Sequence, residues 1–437
     1  MEIIKGGTVS GLLKDVRLPK MFRAKQKFDD TKIIPEEIEK VVFANLNKEP
    51  FDSMIKPGME IAITAGSRGI RNVDIITRAI VDFVKSKDAL PFIVPAMGSH
   101  GGATADGQID LLAGYGISEK SMGCPIKSSM ETVYLGESDT GQSVVIDKNA
   151  YESDGIIVSC RLKPHNAFRG EYESGPCKMM TVGLGKQKGA ERVHADGMDK
   201  IGENIPSMAK VVLEKAPILF AIPCIENAYD ETFYIEAIAA CDILNREPEL
   251  LKIAFKNMPR IIVGKSDVLV VNEIGKNYSG TGVDPNITGT FSTPYASGGL
   301  DVQRTCFLNL SEESHGNGLG IGLANAITKK IFDDLDAEKM YPNCITSTVL
   351  ASARIPCVVS SDKEAMQICV KTANRIDKDN PEIVIIENSL HIGQILLSEA
   401  YYNRVESGHF PGIIALDKPK ELLFDDCDNL MTSVFDK

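Results

Sequence analysis

Three short segments, GSRGI (66–70), GSHGGAT (98–104) and KPHNAFRG (163–170), place Arg68, His100 and His165 next to glycines or behind a proline. Imidazole titrates close to neutral pH and both takes and gives a proton. His100 and His165 are therefore candidate general acid/base groups, one for each face of a reacting carbon. Glycines beside Arg68 and His100 let backbone approach a ligand, and N–H groups opening a following helix suit an anion. Gly66 and Ser67 begin the first such loop and line the same ligand. The Arg68 guanidinium is suited to clamp a carboxylate or a phosphate through paired hydrogen bonds.

The third segment runs on into a turn-rich stretch, residues 162–197, containing CKMMTVGLGKQKG and then His194. Lys178 is flanked there by apolar residues, so its amine is expected to be partly desolvated and biased towards nucleophilicity. The plainer alternative is a lysine snorkelling from a half-buried helix. His194 follows Lys178 by 16 residues with no HxxxH or CxxC partner. It is a poor site for a metal held by protein alone and suits a metal brought largely by another group. Further along, KNYSGTGVDPN offers Lys276, Asn277, Asp284 and Asn286 for hydroxyls or a carboxylate, with an Asx/Gly turn as the structural alternative. His315 lies in another glycine-rich loop and is a substrate candidate, whereas His391 and His409 read as structural or exposed.

Loops of this kind need strands behind them. MEIAITA (59–65), LPFIVPAM (90–97) and GIIVSC (155–160) read as buried strands, each ending at one of the three loops. A helix at NVDIITRAIVDFVKSK, with Asn72 as N-cap, and another carrying Ile109, Leu111, Leu112 and Tyr115 alternate with them. Strand-helix-strand-helix order is the mark of a largely parallel sheet, and ligands bind such sheets outside the carboxyl ends of the strands. A hairpin turning at Asp139, Thr140 and Gly141, two strands around an Asn/Asp turn in 217–238, and a helix at EPELLKIAFKNM follow.

The fold expected is α/β: two domains with largely parallel, Rossmann-like sheets and an active-site cleft between them. The first covers 1–265 and binds cofactor; the second, 266–437, closes the cleft, with its last segment free to return to the first. In the second, DVLVVNEI and PEIVIIEN read as strands, 322–333 and 363–376 as helices, and GIIALD as a closing strand.

The 437 residues carry a formal net charge of -12, which argues against a nucleic-acid or anionic-membrane partner, since both need a basic face. No run approaches about 18 apolar residues and the start lacks a signal-peptide pattern, so the expected location is cytoplasmic. Ten cysteines without a CxxC pair read as reduced packing residues. Cys177, beside Lys178, is the one where reactivity competes with packing.

Taken in order, Arg68, Gly98 with His100, Pro164 with His165, then Lys178 and His194, the sequence resembles the nickel-dependent lactate racemases over essentially its full length. Their cofactor is a nickel-pincer nucleotide. The resemblance implies that Lys178 tethers it covalently through a thioamide, that His194 is the protein ligand to nickel, and that His100 and His165 are the acid/base pair. It also implies a hidden redox cycle, in which a histidine takes the hydroxyl proton while hydride leaves for the cofactor and returns to the other face. Cofactor-maturation enzymes are then expected partners. The first loop reads AGSR where the family has an Asp-x-Thr-Arg type, with Ala65 in place of the carboxylate. That departure points to a 2-hydroxy acid longer or more hydroxylated than lactate.

The function expected is a racemase or epimerase of a 2-hydroxy acid. Two alternatives keep the same residues: a metal-dependent hydrolase or lyase using the histidines, and a noncatalytic small-molecule-binding protein. Against a dinucleotide module, no GxGxxG followed by a ribose-binding acid comes after any expected strand.

Overall fold

A computed structural model describes residues 5–67 and 69–435. The chain forms two compact units, Asp29–Met258, and Met1–Phe28 together with Pro259–Lys437. The units therefore do not divide the chain at one point. The expectation placed residues 1–28 in the first domain, whereas they belong with the C-terminal unit.

In the Asp29–Met258 unit, four parallel strands stand in the order Leu90–Pro95, Glu60–Ala65, Gly155–Arg161 and Ile218–Glu226, with Thr232–Ile235 and Ile238–Ala239 added antiparallel to the last. The first strand in sequence sits between the second and the third. Strand order therefore reverses at Glu60–Ala65, which opens a crevice at its carboxyl end. Ile61, Ile63, Ile93 and Ile157 are fully buried in this sheet. The helix Val73–Ser86 turns Ile76, Ile80, Phe83 and Val84 inward at helical spacing and packs on the helix Pro35–Leu46, Phe43 meeting Phe83 edge to face at 5.5 Å. Asn72 does precede this helix, but it adopts a left-handed φ of 63° and its side chain caps nothing. The Nδ2 group instead donates to Thr232 Oγ1 at 3.0 Å, tying the helix start to the far side of the sheet. Thr132–Glu137 and Ser143–Asp147 form the expected hairpin as a separate two-stranded sheet.

The other unit is built on an eight-stranded sheet ordered Cys357–Val359, Ala326–Thr328, Asp301–Leu310, Lys265–Ile274, Ile383–Ile386, Gln394–Ser398, Met21–Gln26 and Ile413–Ala415. The first five are parallel and the last three antiparallel. The helix expected at 322–333 is a correction: Ile321–Leu323 is a 3-10 turn, Ala326–Thr328 a strand, and only Lys329–Asp334 an α-helix, capped by Thr328. Ala326 and Ile327 are buried on both faces of the sheet, so the apolar run reads the same as a helix face until its neighbours are known. Among the described residues no helix is long and apolar enough to cross a membrane.

Candidate active site

The loops following three adjacent parallel strands in the Asp29–Met258 unit all meet one segment, Glu173–His194. A Cβ placed on Gly66 would lie 3.1 Å from Met179 Cε, so the first loop presses its backbone on that segment. Ser67 is held by its carbonyl, which accepts the Tyr115 hydroxyl at 2.9 Å. Gly98, with a φ of +57° that disfavours any side chain, donates its N–H to Gly183 O at 3.2 Å. The third loop reaches the segment through Glu173 and Ser174. Arg68 lies outside the described residues.

The segment itself departs from regular helix. Pro176–Lys178 opens it, and Met179–Gly183 widens into a π turn closed by Leu184 N–H to Met179 O at 2.8 Å. Such turns trade regular hydrogen bonding for a shifted side-chain direction and recur at functional sites. Lys178, just before the π turn, is half-buried with Nζ 3.4 Å from Ser174 Oγ. Lys186, at a φ of +55°, is wholly buried; Nζ sits 3.0 Å from Asp147 Oδ2 and donates to Pro95 O at 2.5 Å. This cation joins the hairpin, the end of the Leu90–Pro95 strand and the turn between Lys178 and His194.

The ring nitrogens of the three histidines are fixed by backbone. His100 Nδ1 is 2.8 Å from Met97 O and His194 Nδ1 is 2.6 Å from Ala190 O. A carbonyl only accepts, so each Nδ1 carries the proton and each neutral ring keeps its lone pair on Nε2. At His165 the relation is reversed, since Ala167 N–H donates to Nδ1 at 3.1 Å. The His165 ring also stacks on Phe168 with centroids 4.4 Å apart.

Burial holds the His194 pKa below the ordinary imidazole value, and the Lys178 charge adds to that, against the Ala190 carbonyl. A neutral imidazole with its Nε2 pair available and its Nδ1–H anchored is the form that ligates a metal. Glu173 is 1% exposed and accepts His165 N–H at 2.6 Å and Gly170 N–H at 3.2 Å, with Arg169 Nη1 at 3.4 Å. Burial raises its pKa, while the His165 amide, Arg169 and Lys178 pull the other way. Among the described residues no group of three or more His, Cys, Asp or Glu side chains gathers as a metal cage, so a metal at His194 needs ligands from elsewhere. The residues fit a metal-bearing organic group: one amine to hold it, one imidazole to ligate it, and glycine backbone on two sides.

Residues 7–204 match the family model of the lactate racemase N-terminal domain, a span holding every site residue from Gly66 to His194. Over that span the chain is similar to the lactate racemase N-terminal domain. The solved lactate racemase apoprotein from Thermoanaerobacterium thermosaccharolyticum shares the fold at a TM-score of 0.52 and 12% identity, covering 84% of this chain and 98% of that one. No curated protein matches it in sequence.

The remaining candidates lie in the other unit. Lys276 and Asn277 follow the strand Lys265–Ile274, and His315 follows the neighbouring parallel strand Asp301–Leu310. Their loops touch, with Lys276 N–H donating to Ser314 Oγ at 2.9 Å and Ser311 Oγ to Asn277 Oδ1 at 2.7 Å. Lys276 Nζ donates to Gly280 O at 2.7 Å, and exposed His315, at a φ of 48°, offers its carbonyl to Lys339 at 2.8 Å. Asp284 accepts both Asn286 N–H and Asn286 Nδ2 at 3.0 Å and caps the turn Pro285–Thr288, a loop-building role for both. Sequence reasoning missed Glu173, Lys186 with Asp147, and Tyr115. GLGKQKG, a lysine closely hedged by glycines, was the one local hint.

Proposed function

We propose that the chain is a racemase or epimerase of a 2-hydroxy acid that works with a nickel-pincer nucleotide. The observation carrying this reading is the packing of the Gly66, Gly98 and His165 loops against the single segment that bears Lys178 and His194. Lys178 would hold the group as a thioamide and His194 Nε2 would ligate its nickel. When bound, the group supplies a hydride acceptor and donor. The protein's part is to bind, align and move protons.

His100 holds a lone pair on Nε2 and takes the hydroxyl proton of the substrate, returning it when the carbon is reduced again. His165 is its acid/base partner from the third loop, serving the opposite face of the substrate carbon. Arg68, Gly66 and Ser67 are proposed to bind the anionic ends of cofactor or substrate, for which paired donors and backbone N–H groups are suited. Lys276, Asn277 and His315 are proposed as substrate contacts. Their amine, amide and imidazole suit the hydroxyls of an acid larger than lactate. Asp284 and Asn286 shape the loop that presents them. The expected location is cytoplasmic, with maturation enzymes as partners.

The test is to prepare the chain with cofactor-maturation enzymes, measure intact mass, and follow optical rotation across 2-hydroxy acids. An adduct on Lys178, lost in Lys178→Ala together with turnover, is the expected result. His100→Ala keeps the adduct and loses turnover by about 100-fold or more. A loaded protein that changes the rotation of no 2-hydroxy acid overturns the reading.

A further inference from the structure

We infer that Gln108 is the positioning residue for His100: its buried side-chain amide holds the glycine-rich loop after the Leu90–Pro95 strand in the shape that presents the imidazole. The inference rests on the function proposed above and deepens it by naming what keeps one of its two acid/base groups in place.

The loop has little of its own to fix its shape. Gly98, Gly101 and Gly102 all take a positive φ, of 57°, 67° and 65°, no apolar side chain lies between residues 98 and 102, and His100 itself is exposed. Gln108 lies in the next helix, Ala105–Gly114, and with Leu112 is one of the two residues that helix buries; it is 0% exposed. Its Nε2 donates to Gly98 O at 3.1 Å and to His100 O at 3.2 Å. Both partners are carbonyls, which only accept, so the amide can face them in one orientation alone. The grip passes directly to the ring. Met97 O receives both His100 N–H at 3.1 Å and the ring Nδ1 at 2.8 Å, so the direction of the imidazole follows the Met97–His100 turn, and Gln108 clasps two carbonyls of that same turn. Gly98 N–H meanwhile donates to Gly183 O at 3.2 Å, which ties the turn to the segment bearing Lys178 and His194.

Stability alone does not account for this residue. With both donors spent on the loop, Gln108 Oε1 is buried without a hydrogen-bond partner. A stranded acceptor is destabilising, and an apolar side chain of the same length would fill the helix face without one. What the amide supplies in return is loop shape, and positions where local stability yields to geometry are those that serve function. Proton transfer is sensitive to such geometry, because a small misplacement of the base lengthens the path of the proton.

The experiment has two arms. In the apo chain with nitrogen-15 histidine, His100→Gln assigns the ring signals of His100. Gln108→Met should shift or broaden those signals and leave the His194 signals in place, with a urea midpoint within about 0.5 M of the parent. His100 signals indifferent to the variant, or a midpoint that falls much further, overturn the inference. In the loaded enzyme, Gln108→Met should keep the adduct on Lys178 and lose about 10- to 100-fold in kcat with KM little changed. Gln108→Glu has the same shape and carries the test if Gln108→Met does not fold. Only its protonated carboxyl can donate to the loop, so its activity relative to the parent should climb as pH falls from about 8 to about 6. Parent-like turnover in Gln108→Met, or a Gln108→Glu activity fixed at the Gln108→Met level across that range, overturns the inference. Absence of turnover in the parent enzyme, with the His100 signals responding as stated, upholds the positioning role and fails the proposed function instead.

Discussion

At the scale of single residues, His100, His165, Lys178 and His194 are candidates because their sequence settings, glycine-rich loops, a strand end and apolar flanks, are local. Buried carboxyls have no such local mark. Glu247 lies in the helix Ile243–Asn257, in a pattern that reads only as amphipathic, yet it is 1% exposed and its Oε2 accepts Cys177 N–H at 2.8 Å, one residue before Lys178. Its Oε1 has no hydrogen-bond partner among the described residues, and a Cβ on Gly175 would fall 2.5 Å from it, so this glycine is a matter of space. Burial pushes the Glu247 carboxyl up to about 7, against hydrogen bonds from Cys177. Burial likewise raises the Cys177 thiol, which makes it a packing residue rather than a nucleophile. A carboxyl whose pKa is higher folded than unfolded adds stability that is full below its ordinary value of 4.5 and is lost as pH rises through about 7. Glu247→Gln removes that loss. Denaturant midpoints taken from pH 5 to 8 should therefore fall in the parent relative to the variant, by on the order of 3 kcal/mol at the alkaline end. Parallel curves would show that Glu247 does not titrate in this range.

At the scale of elements, what the sequence reveals is the strand-then-loop rhythm, since a run such as EIAITA followed by GS is legible without knowing its neighbours. What it conceals is contact between elements. The Leu90–Pro95 strand, the hairpin and the π turn are joined by Lys186 and Asp147, 39 residues apart in sequence and both wholly buried. Burial lowers the Lys186 pKa and raises that of Asp147, each opposed by the other's charge. The pair is neutral as a unit and costly when halved, because an unmatched charge has no solvent to turn to. Lys186→Met should therefore destabilise the unit by about 3–5 kcal/mol, and Lys186→Met with Asp147→Asn should recover most of that loss. A double-variant cycle by urea unfolding measures both. If the cycle shows no coupling, the ion pair is not what joins these elements.

At the scale of the whole molecule, the α/β class and the largely parallel sheets follow from local alternation, but the course of the chain between units does not. The strand Met21–Gln26 pairs with Gln394–Ser398 on one side and Ile413–Ala415 on the other, separations that no periodicity encodes. Phe22 and Ala24 are 1% and 0% exposed there, so the strand belongs to the core of the C-terminal unit and is more than an edge addition. Its Gln26 Oε1 accepts Ile262 N–H at 2.7 Å, which brings the two crossing points of the chain together. The Asp29–Met258 unit is thus an insertion between them, and insertions tolerate excision where their ends lie close. Joining residue 28 to residue 259 through a short glycine-serine link should give a unit that melts in one cooperative transition. Residues 259–437 alone should not, since two strands would lose their shared partner and present open edges. A cooperative melt from 259–437 alone would mean that the Met21–Gln26 strand contributes little to the sheet it completes.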